Sequence, residues 1–141
     1  MLPLDPYIVS PKDMQELISL HAFLDSSGLE EPLRELVRMH VSILNGCTRG
    51  VRRHCHRLTQ LGEPTARLTA LAAWRSTSLF TEKERAALEW SEAVTFVSRS
   101  RVSDEVHTAV RQWFTDMEVV QLTMIIAATT AWNGVEMSFH E

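Results

Sequence analysis

The sequence predicts an all-α fold, a single-domain bundle of about six to seven helices spanning residues 1–141. Apolar residues recur at helical spacing along almost the whole chain, and no segment of useful length alternates apolar and polar residues as a half-buried strand does. The gaps between helical segments are short and contain no Gly/Ser-rich linker. A hydrophobic content of 45% with 23% charged residues is typical of a globular domain with one core.

Local signals place the ends of the predicted helices. Ser10-Pro11 resembles a helix start, Asn45-Gly46 breaks the second helix, and Thr81 with Glu84 forms a capping box. The last helix is apolar on most sides, so we expect it at the centre of the bundle or in a subunit interface. The predicted helices cover residues 11–24, 31–44, 47–61, 64–74 and 81–97, a sixth from residue 103, and 115 to about 133–134.

Composition excludes several classes of protein. A formal net charge of −4 disfavours nucleic-acid binding, because such domains are usually basic. No apolar run approaches the roughly 18–20 residues that a membrane span needs. The N-terminus lacks the basic start and apolar block of a signal peptide, so we expect a cytoplasmic protein without membrane contact. Two cysteines are too few for a disulfide-stapled secreted fold.

Candidate chemistry is concentrated between Glu35 and His56. Cys47 follows a helix break and opens the next helix, where free backbone N–H groups and the helix dipole stabilise a thiolate. His54 lies about two helical turns later on the same face, and Glu35 approaches this pair if the two helices form a hairpin. The residues alone are also compatible with non-catalytic roles, in which Cys47 is a packed core residue and His54 is a structural histidine. A metal site built from Cys47, His54, Cys55 and His56 matches no zinc spacing that we can name.

The same stretch resembles the signature of the alkyl hydroperoxidase D-like, carboxymuconolactone decarboxylase superfamily. That signature is a Glu, eleven residues, Cys-x-x-Cys, three residues and a His, and the first Cys is commonly preceded by Asn-x. Glu35, Asn45, Cys47 and His54 match it. The likeness continues through residues 67–95 and 102–114 to the Ala-Trp-Asn at 131–133. It implies an all-α domain of this type, a homo-oligomer that is often a trimer or hexamer, and no prosthetic group or metal.

This chain departs from the signature at the second cysteine, which is Gly50, and Arg49 replaces the usual Tyr. In the family's peroxidase chemistry one cysteine attacks the peroxide and the other forms a disulfide with the resulting sulfenic acid, while the Glu and His relay protons. Cys55 cannot replace the missing partner, since it lies about 12 Å from Cys47 along one helix and a disulfide needs Cα atoms within about 7 Å.

The favoured hypothesis is therefore a peroxidase-like antioxidant enzyme. The resemblance implies that Cys47, assisted by Glu35 and His54, reduces organic hydroperoxides in an impaired or one-cysteine cycle, with an external thiol as reductant.

Two alternatives remain. One is a cysteine-independent decarboxylase or lyase in which His54, Glu35 and an arginine bind and protonate a carboxylate-bearing lactone; Arg49, Arg52 and Arg53 are the candidate arginines. The other is a non-catalytic scaffold relative, in which the Glu–His pair is a buried structural hydrogen bond.

Overall fold

The computed structural model describes residues 3–140, which form eight α-helices and no strand. A 3₁₀ helix at Leu71–Ser76 follows the fifth α-helix. The helices are α1 (Pro6–Val9), α2 (Pro11–Asp25), α3 (Glu31–Asn45), α4 (Thr48–Gln60), α5 (Thr65–Ala70), α6 (Glu82–Thr95), α7 (Asp104–Trp113) and α8 (Asp116–His140). The predicted all-α fold is confirmed.

Helix α3 is the central element, and it separates two apolar cores. One core lies between α3 and α2, α6, α7 and α8; the other lies between α3, α4, α5, the 3₁₀ helix and α6. As a result, the stretch from Glu35 to Ser42 is buried on every side of the helix, including four polar side chains. Burying polar groups is costly unless they are hydrogen-bonded, so each of them requires a partner from a neighbouring element.

The structure differs from the predicted elements in three places. A short helix, α1, precedes α2 and is capped by the Asp5 carboxylate, which accepts from the Tyr7 N–H. The predicted helix 64–74 is divided at Ala73, where φ is −120° and ψ is 36°. The guanidinium of Arg85 donates to the Trp74 and Thr77 carbonyls and so holds this bend in place.

The prediction that the last helix ends at Asn133-Gly134 is wrong, because α8 continues to His140. A glycine inside a helix costs roughly 1 kcal/mol relative to alanine, and tertiary contacts on both sides of it outweigh that cost here. Asn133 is buried and donates to Ser42 and Asn45, while the buried Glu136 pairs with Arg53. Within residues 3–140, no helix is both long and apolar enough to cross a membrane.

Candidate active site

The α3–α4 hairpin brings the predicted site residues onto adjacent helices. Gly46 ends α3 with a φ of 71°, a left-handed conformation that glycine adopts without steric cost. This turn lets Cys47 become the N-cap of α4, and it folds α4 back along α3. Glu35 on α3 therefore faces His54 on α4, as the hairpin hypothesis required.

Glu35 and His54 form a buried carboxylate–imidazole pair. Glu35 Oε2 lies 2.7 Å from His54 Nδ1. A carboxylate oxygen accepts, so Nδ1 carries the hydrogen and a neutral His54 ring has its lone pair on Nε2. Nε2 forms no hydrogen bond with any residue from 3 to 140. The ring of His54 lines a cleft. A ring nitrogen without a protein partner in the wall of a cleft can donate a proton to a bound molecule or accept one from it.

Arg38, one turn after Glu35, places a positive charge beside this pair. Its Nη1 lies 3.1 Å from Glu35 Oε1 and 2.6 Å from Asp25 Oδ1. Burial on its own raises the pKa of Glu35, but the hydrogen bond and charge of His54, together with Arg38, outweigh burial and hold that pKa below its ordinary value. Glu35 is therefore ionised at neutral pH and can stabilise a positive charge on His54.

The pair lies in the wall of a cleft of about 380 Å³. Helices α2, α3, α4 and α8 contribute its walls, which combine three arginines and three carboxylates with two histidines and one tryptophan. The volume is at the lower end of the range for sites that take small molecules. The lining residues are His21, Asp25, Glu31, Glu35, Arg38, Arg53, His54, Arg57, Thr129, Trp132 and Asn133.

Cys47 does not line this cleft. Its side chain is 0% exposed, and Sγ accepts a hydrogen bond from the Gly50 N–H at 3.4 Å. Seven residues of helix place it about 10 Å along the axis from His54, and it forms no hydrogen bond with His54 or Glu35. The structure thus joins two of the three predicted site residues and leaves the thiol apart from them.

Position 50 cannot hold a side chain without rearrangement. A Cβ built on Gly50 would lie 2.6 Å from Ser42 Oγ and 2.8 Å from Asn133 Oδ1. Both neighbours are fully buried and bonded to each other, because Asn133 Nδ2 donates to Ser42 Oγ at 3.1 Å. The space that a second motif cysteine would need is therefore filled by polar side chains from α3 and α8.

Of the arginines proposed from the sequence, only Arg53 lines the cleft, while Arg49 and Arg52 are exposed elsewhere on α4. Sequence reasoning missed Arg38 and Arg57. Arg38 is three residues after Glu35, so helical spacing alone could have placed it beside that carboxylate. It missed the contributions of α2 and α8 as well, because no local pattern indicates which distant helices close a cleft.

The structure also shows where the second cysteine lies and how the His, Cys, Asp and Glu side chains are grouped. Cys47 and Cys55 are both free thiols, and Cys55 is partly buried among apolar neighbours. Among the side chains of residues 3–140, no group of three or more His, Cys, Asp or Glu is arranged to hold a metal ion.

Comparisons with known proteins agree with this description. The sequence model of the carboxymuconolactone decarboxylase family matches residues 12–93. The uncharacterised protein YdfG of Bacillus subtilis strain 168 is 30% identical over 132 residues, which cover 94% of this chain and 90% of YdfG.

The same fold is found in solved structures, among them the following two. A protein of unknown function from Agrobacterium tumefaciens, for which an AhpD-type role in antioxidant defence has been suggested, is 29% identical. It superposes with a TM-score of 0.96 over 100% of this chain and 97% of that one. A peroxidase-related protein with an AhpD core from Ralstonia eutropha JMP134 is 20% identical, with a TM-score of 0.84 over 94% of this chain and 71% of that one, and shows the fold alone. With its AhpD-like fold, the chain belongs to the carboxymuconolactone decarboxylase family.

Proposed function

We propose that this protein is an acid–base enzyme that binds a small carboxylate-bearing substrate in the cleft and transfers protons through His54, without using a thiol. The observation that carries this proposal is the 2.7 Å contact between Glu35 and His54 in the wall of the cleft. Cys47, by contrast, is fully buried and lines no part of that cleft.

His54 is the proton-transfer group in this proposal. Glu35 fixes the ring by accepting from Nδ1, which leaves Nε2 to exchange a proton with the substrate. When His54 is protonated, the ionised carboxylate beside it offsets the new charge in a poorly solvated position. Groups positioned in this way typically accelerate proton transfer by about 10²–10⁴-fold.

Arg38 is the group best suited to bind a substrate carboxylate. Its Nη1 is held by Asp25 and Glu35, but Nε and Nη2 are buried and have no hydrogen-bond partner among residues 3–140. Buried donors without partners are costly, and a guanidinium offers paired donors that match a carboxylate. The side chains around Arg38 would have to shift before a substrate carboxylate in the cleft could reach these two nitrogens, and it would then give them acceptors.

A carboxylated γ-lactone is the substrate class that we propose. It provides a carboxylate for Arg38 and a carbonyl oxygen that can take a proton from His54 as negative charge develops there. The matching family is named for a decarboxylase of one such lactone, carboxymuconolactone. A cleft of about 380 Å³ has room for a molecule of this size.

Proton NMR in D₂O tests the proposal directly. The protein is incubated with 4-carboxymuconolactone and with a simpler γ-lactone carrying one carboxylate, and both loss of carboxylate and deuterium exchange next to the lactone carbonyl are followed. We expect one or both reactions above the buffer rate, reduced about 100-fold or more in Glu35→Gln and in His54→Asn. The asparagine amide can still donate to Glu35, so this variant removes Nε2 while keeping the buried contact.

An unchanged rate in His54→Asn would contradict the proposed role of His54. If the wild-type protein catalysed neither reaction, acid–base chemistry on this substrate class would be excluded, and the scaffold hypothesis would gain support.

A one-cysteine peroxidase is the second candidate, and one observation favours it. Cys47 is the N-cap of α4, and its sulfur accepts the Gly50 N–H. A helix N-terminus favours the thiolate form, which is the nucleophile that attacks peroxide. Attack would give a sulfenic acid at Cys47 and an alcohol, and an external thiol would have to reduce the enzyme, because Gly50 supplies no second sulfur.

Single-turnover reaction with cumene hydroperoxide separates the two candidates. The peroxidase candidate requires stoichiometric loss of peroxide, a trappable sulfenic acid on the Cys47 peptide, and loss of both signals in Cys47→Ser. Serine is a favoured N-cap, so this variant keeps the start of α4. The buried position of Cys47 leads us to expect slow oxidation and no rapid loss of peroxide.

A further inference from the structure

A second imidazole lines the same cleft. His21 lies on α2 and is half-buried, and its ring packs edge-on against Trp132 of α8 with the ring centres 4.6 Å apart. His54 lies on α4, so the two imidazoles come from different helices that contribute walls to one cleft. Neither the family signature nor the spacing of the site motif includes His21.

Geometry fixes which nitrogen of His21 carries the proton. Nε2 lies 3.2 Å from the Ala128 carbonyl oxygen. A carbonyl oxygen can only accept, so Nε2 carries the hydrogen and a neutral His21 ring has a bare lone pair on Nδ1. Nδ1 forms no hydrogen bond with any described residue. This ring therefore offers an acceptor at a site where a substrate can reach it.

The charges around the two histidines differ. The carboxylate of Glu35 lies in hydrogen-bond contact with His54, 2.7 Å from its Nδ1. Burial, followed by the positive charge of Arg38, lowers the pKa of His21, and the Ala128 hydrogen bond and Asp25 only partly oppose this. His21 is consequently neutral at pH 7 and is further disfavoured as a cation when His54 is charged. A neutral imidazole and an imidazole in contact with a carboxylate, both in the wall of one cleft, are suited to paired acid and base roles.

We propose that His21 is a second catalytic residue, a base in the wall of the same cleft as the His54 acid. This proposal rests on the acid–base function proposed above. On a carboxylated γ-lactone whose carbon next to the carbonyl is saturated, Nδ1 of His21 takes a proton from that carbon. The electron pair of that C–H bond forms a carbon–carbon double bond, the carbonyl becomes a C–O bond, and its oxygen takes the Nε2 proton of His54. The reverse sequence returns a solvent-derived hydrogen to the carbon, so the cycle balances without any oxidant or reductant.

The matched variants His21→Gln and His21→Asn test this role. The glutamine amide nitrogen can take the place of Nε2 and still donate to the Ala128 carbonyl, but glutamine has no titratable nitrogen at the Nδ1 position. We expect His21→Gln to unfold at the same denaturant concentration as the wild-type protein while its rate of deuterium exchange on the carboxylated γ-lactone falls about 100-fold. His21→Asn removes the donor to Ala128 as well, and we expect it to lose both stability and exchange.

The pH profile separates catalysis from structural support. A base loses activity when it is protonated, so we expect the exchange rate of the wild-type protein to decrease as the pH is lowered. The residual exchange rate of His21→Gln should lack this decrease that protonation of His21 causes. Long-range ¹H–¹⁵N spectra of the wild-type protein at pH 7 provide a readout independent of activity, and should show His21 neutral and protonated on Nε2.

Three results would overturn the inference in distinguishable ways. If His21→Gln exchanged at the wild-type rate while His54→Asn lost exchange, His21 would have only a structural role. The proposed function would then stand without it. A His21 ring protonated on Nδ1 at pH 7 would contradict the proposed base even where exchange is observed. No exchange by the wild-type protein would overturn this inference, and the proposed function would fall with it only if the protein failed to remove the carboxylate as well.

Discussion

Replacement of Gly50 by alanine tests the packing that separates this site from a two-cysteine motif. A Cβ at this position would lie 2.6 Å from Ser42 Oγ and 2.8 Å from Asn133 Oδ1, closer than real Cβ contacts come. Ser42 cannot easily move away, because its hydroxyl donates to the Arg38 carbonyl and accepts from Asn133. Overpacking of this kind costs about 1–3 kcal/mol, and losing a helical glycine returns roughly 0.5–1 kcal/mol.

The expected net effect of Gly50→Ala is a loss of roughly 1 kcal/mol in the free energy of unfolding, within a range of about 0–2.5 kcal/mol. Gly134→Ala is the matched control, since Gly134 is also helical but has nothing within 4 Å of an added Cβ. It should gain about 0.5–1 kcal/mol. Urea unfolding at fixed protein concentration measures both values, and their opposite signs are the prediction.

A double-mutant cycle with Ser42→Ala identifies the source of the penalty. Removing the Ser42 hydroxyl removes the shortest contact and leaves Asn133 bonded to Asn45. Gly50→Ala should therefore cost less in the Ser42→Ala background, with a coupling of about 0.5–2 kcal/mol. If Gly50→Ala were as stabilising as Gly134→Ala, or if the coupling were zero, the argument that α3 and α8 fill the space beside position 50 would be refuted.

Three further predictions concern the charged and apolar groups of the fold. Burial lowers the pKa of His40 below its ordinary 6.5 despite its contact with Glu92, so the unfolded chain binds more protons. Stability should consequently fall as pH drops from about 7 to 5, and less steeply in His40→Gln, as measured by urea unfolding at each pH. Replacing Arg38 by lysine keeps the charge but removes the paired donors, so the KM for the carboxylated lactone should rise several-fold; an unchanged KM would remove Arg38 from the carboxylate site. We also propose the homo-oligomer that the family resemblance implies. Ile8 and Phe23 are large apolar side chains exposed to solvent, and light scattering should give a mass of three or six chains, which a monomer would contradict.

Helical periodicity predicted most of the fold because the information lies within each segment. The apolar stripe of α3 and the break at Asn45-Gly46 together predicted a hairpin, and that hairpin does place Glu35 against His54. The end of α8 was mispredicted because it depends on contacts outside its own segment. Contacts of Asn133 and Glu136 with distant helices stabilise a turn that local propensity disfavours.

The rest of the site depends on tertiary contacts that spacing does not encode. The sequence correctly indicated that Cys47 opens a helix, but whether the thiol reaches a cleft depends on how the α3–α4 hairpin packs in the bundle. His21 was recognisable only as one member of an apolar face of α2, and its partners Ala128 and Trp132 lie on α8. The substitution at Gly50 was visible in the sequence, whereas the polar side chains that fill its place were not.

In the proposed mechanism the reaction depends on His54 and not on Cys47. The most direct measurement compares Cys47→Ser with His54→Asn on the same carboxylated γ-lactone, at one pH and one protein concentration. We expect kcat/KM in Cys47→Ser to stay within about twofold of the wild-type value and to fall about 100-fold or more in His54→Asn. Loss of activity in Cys47→Ser with retention in His54→Asn would contradict this mechanism and would make the thiol the reacting group.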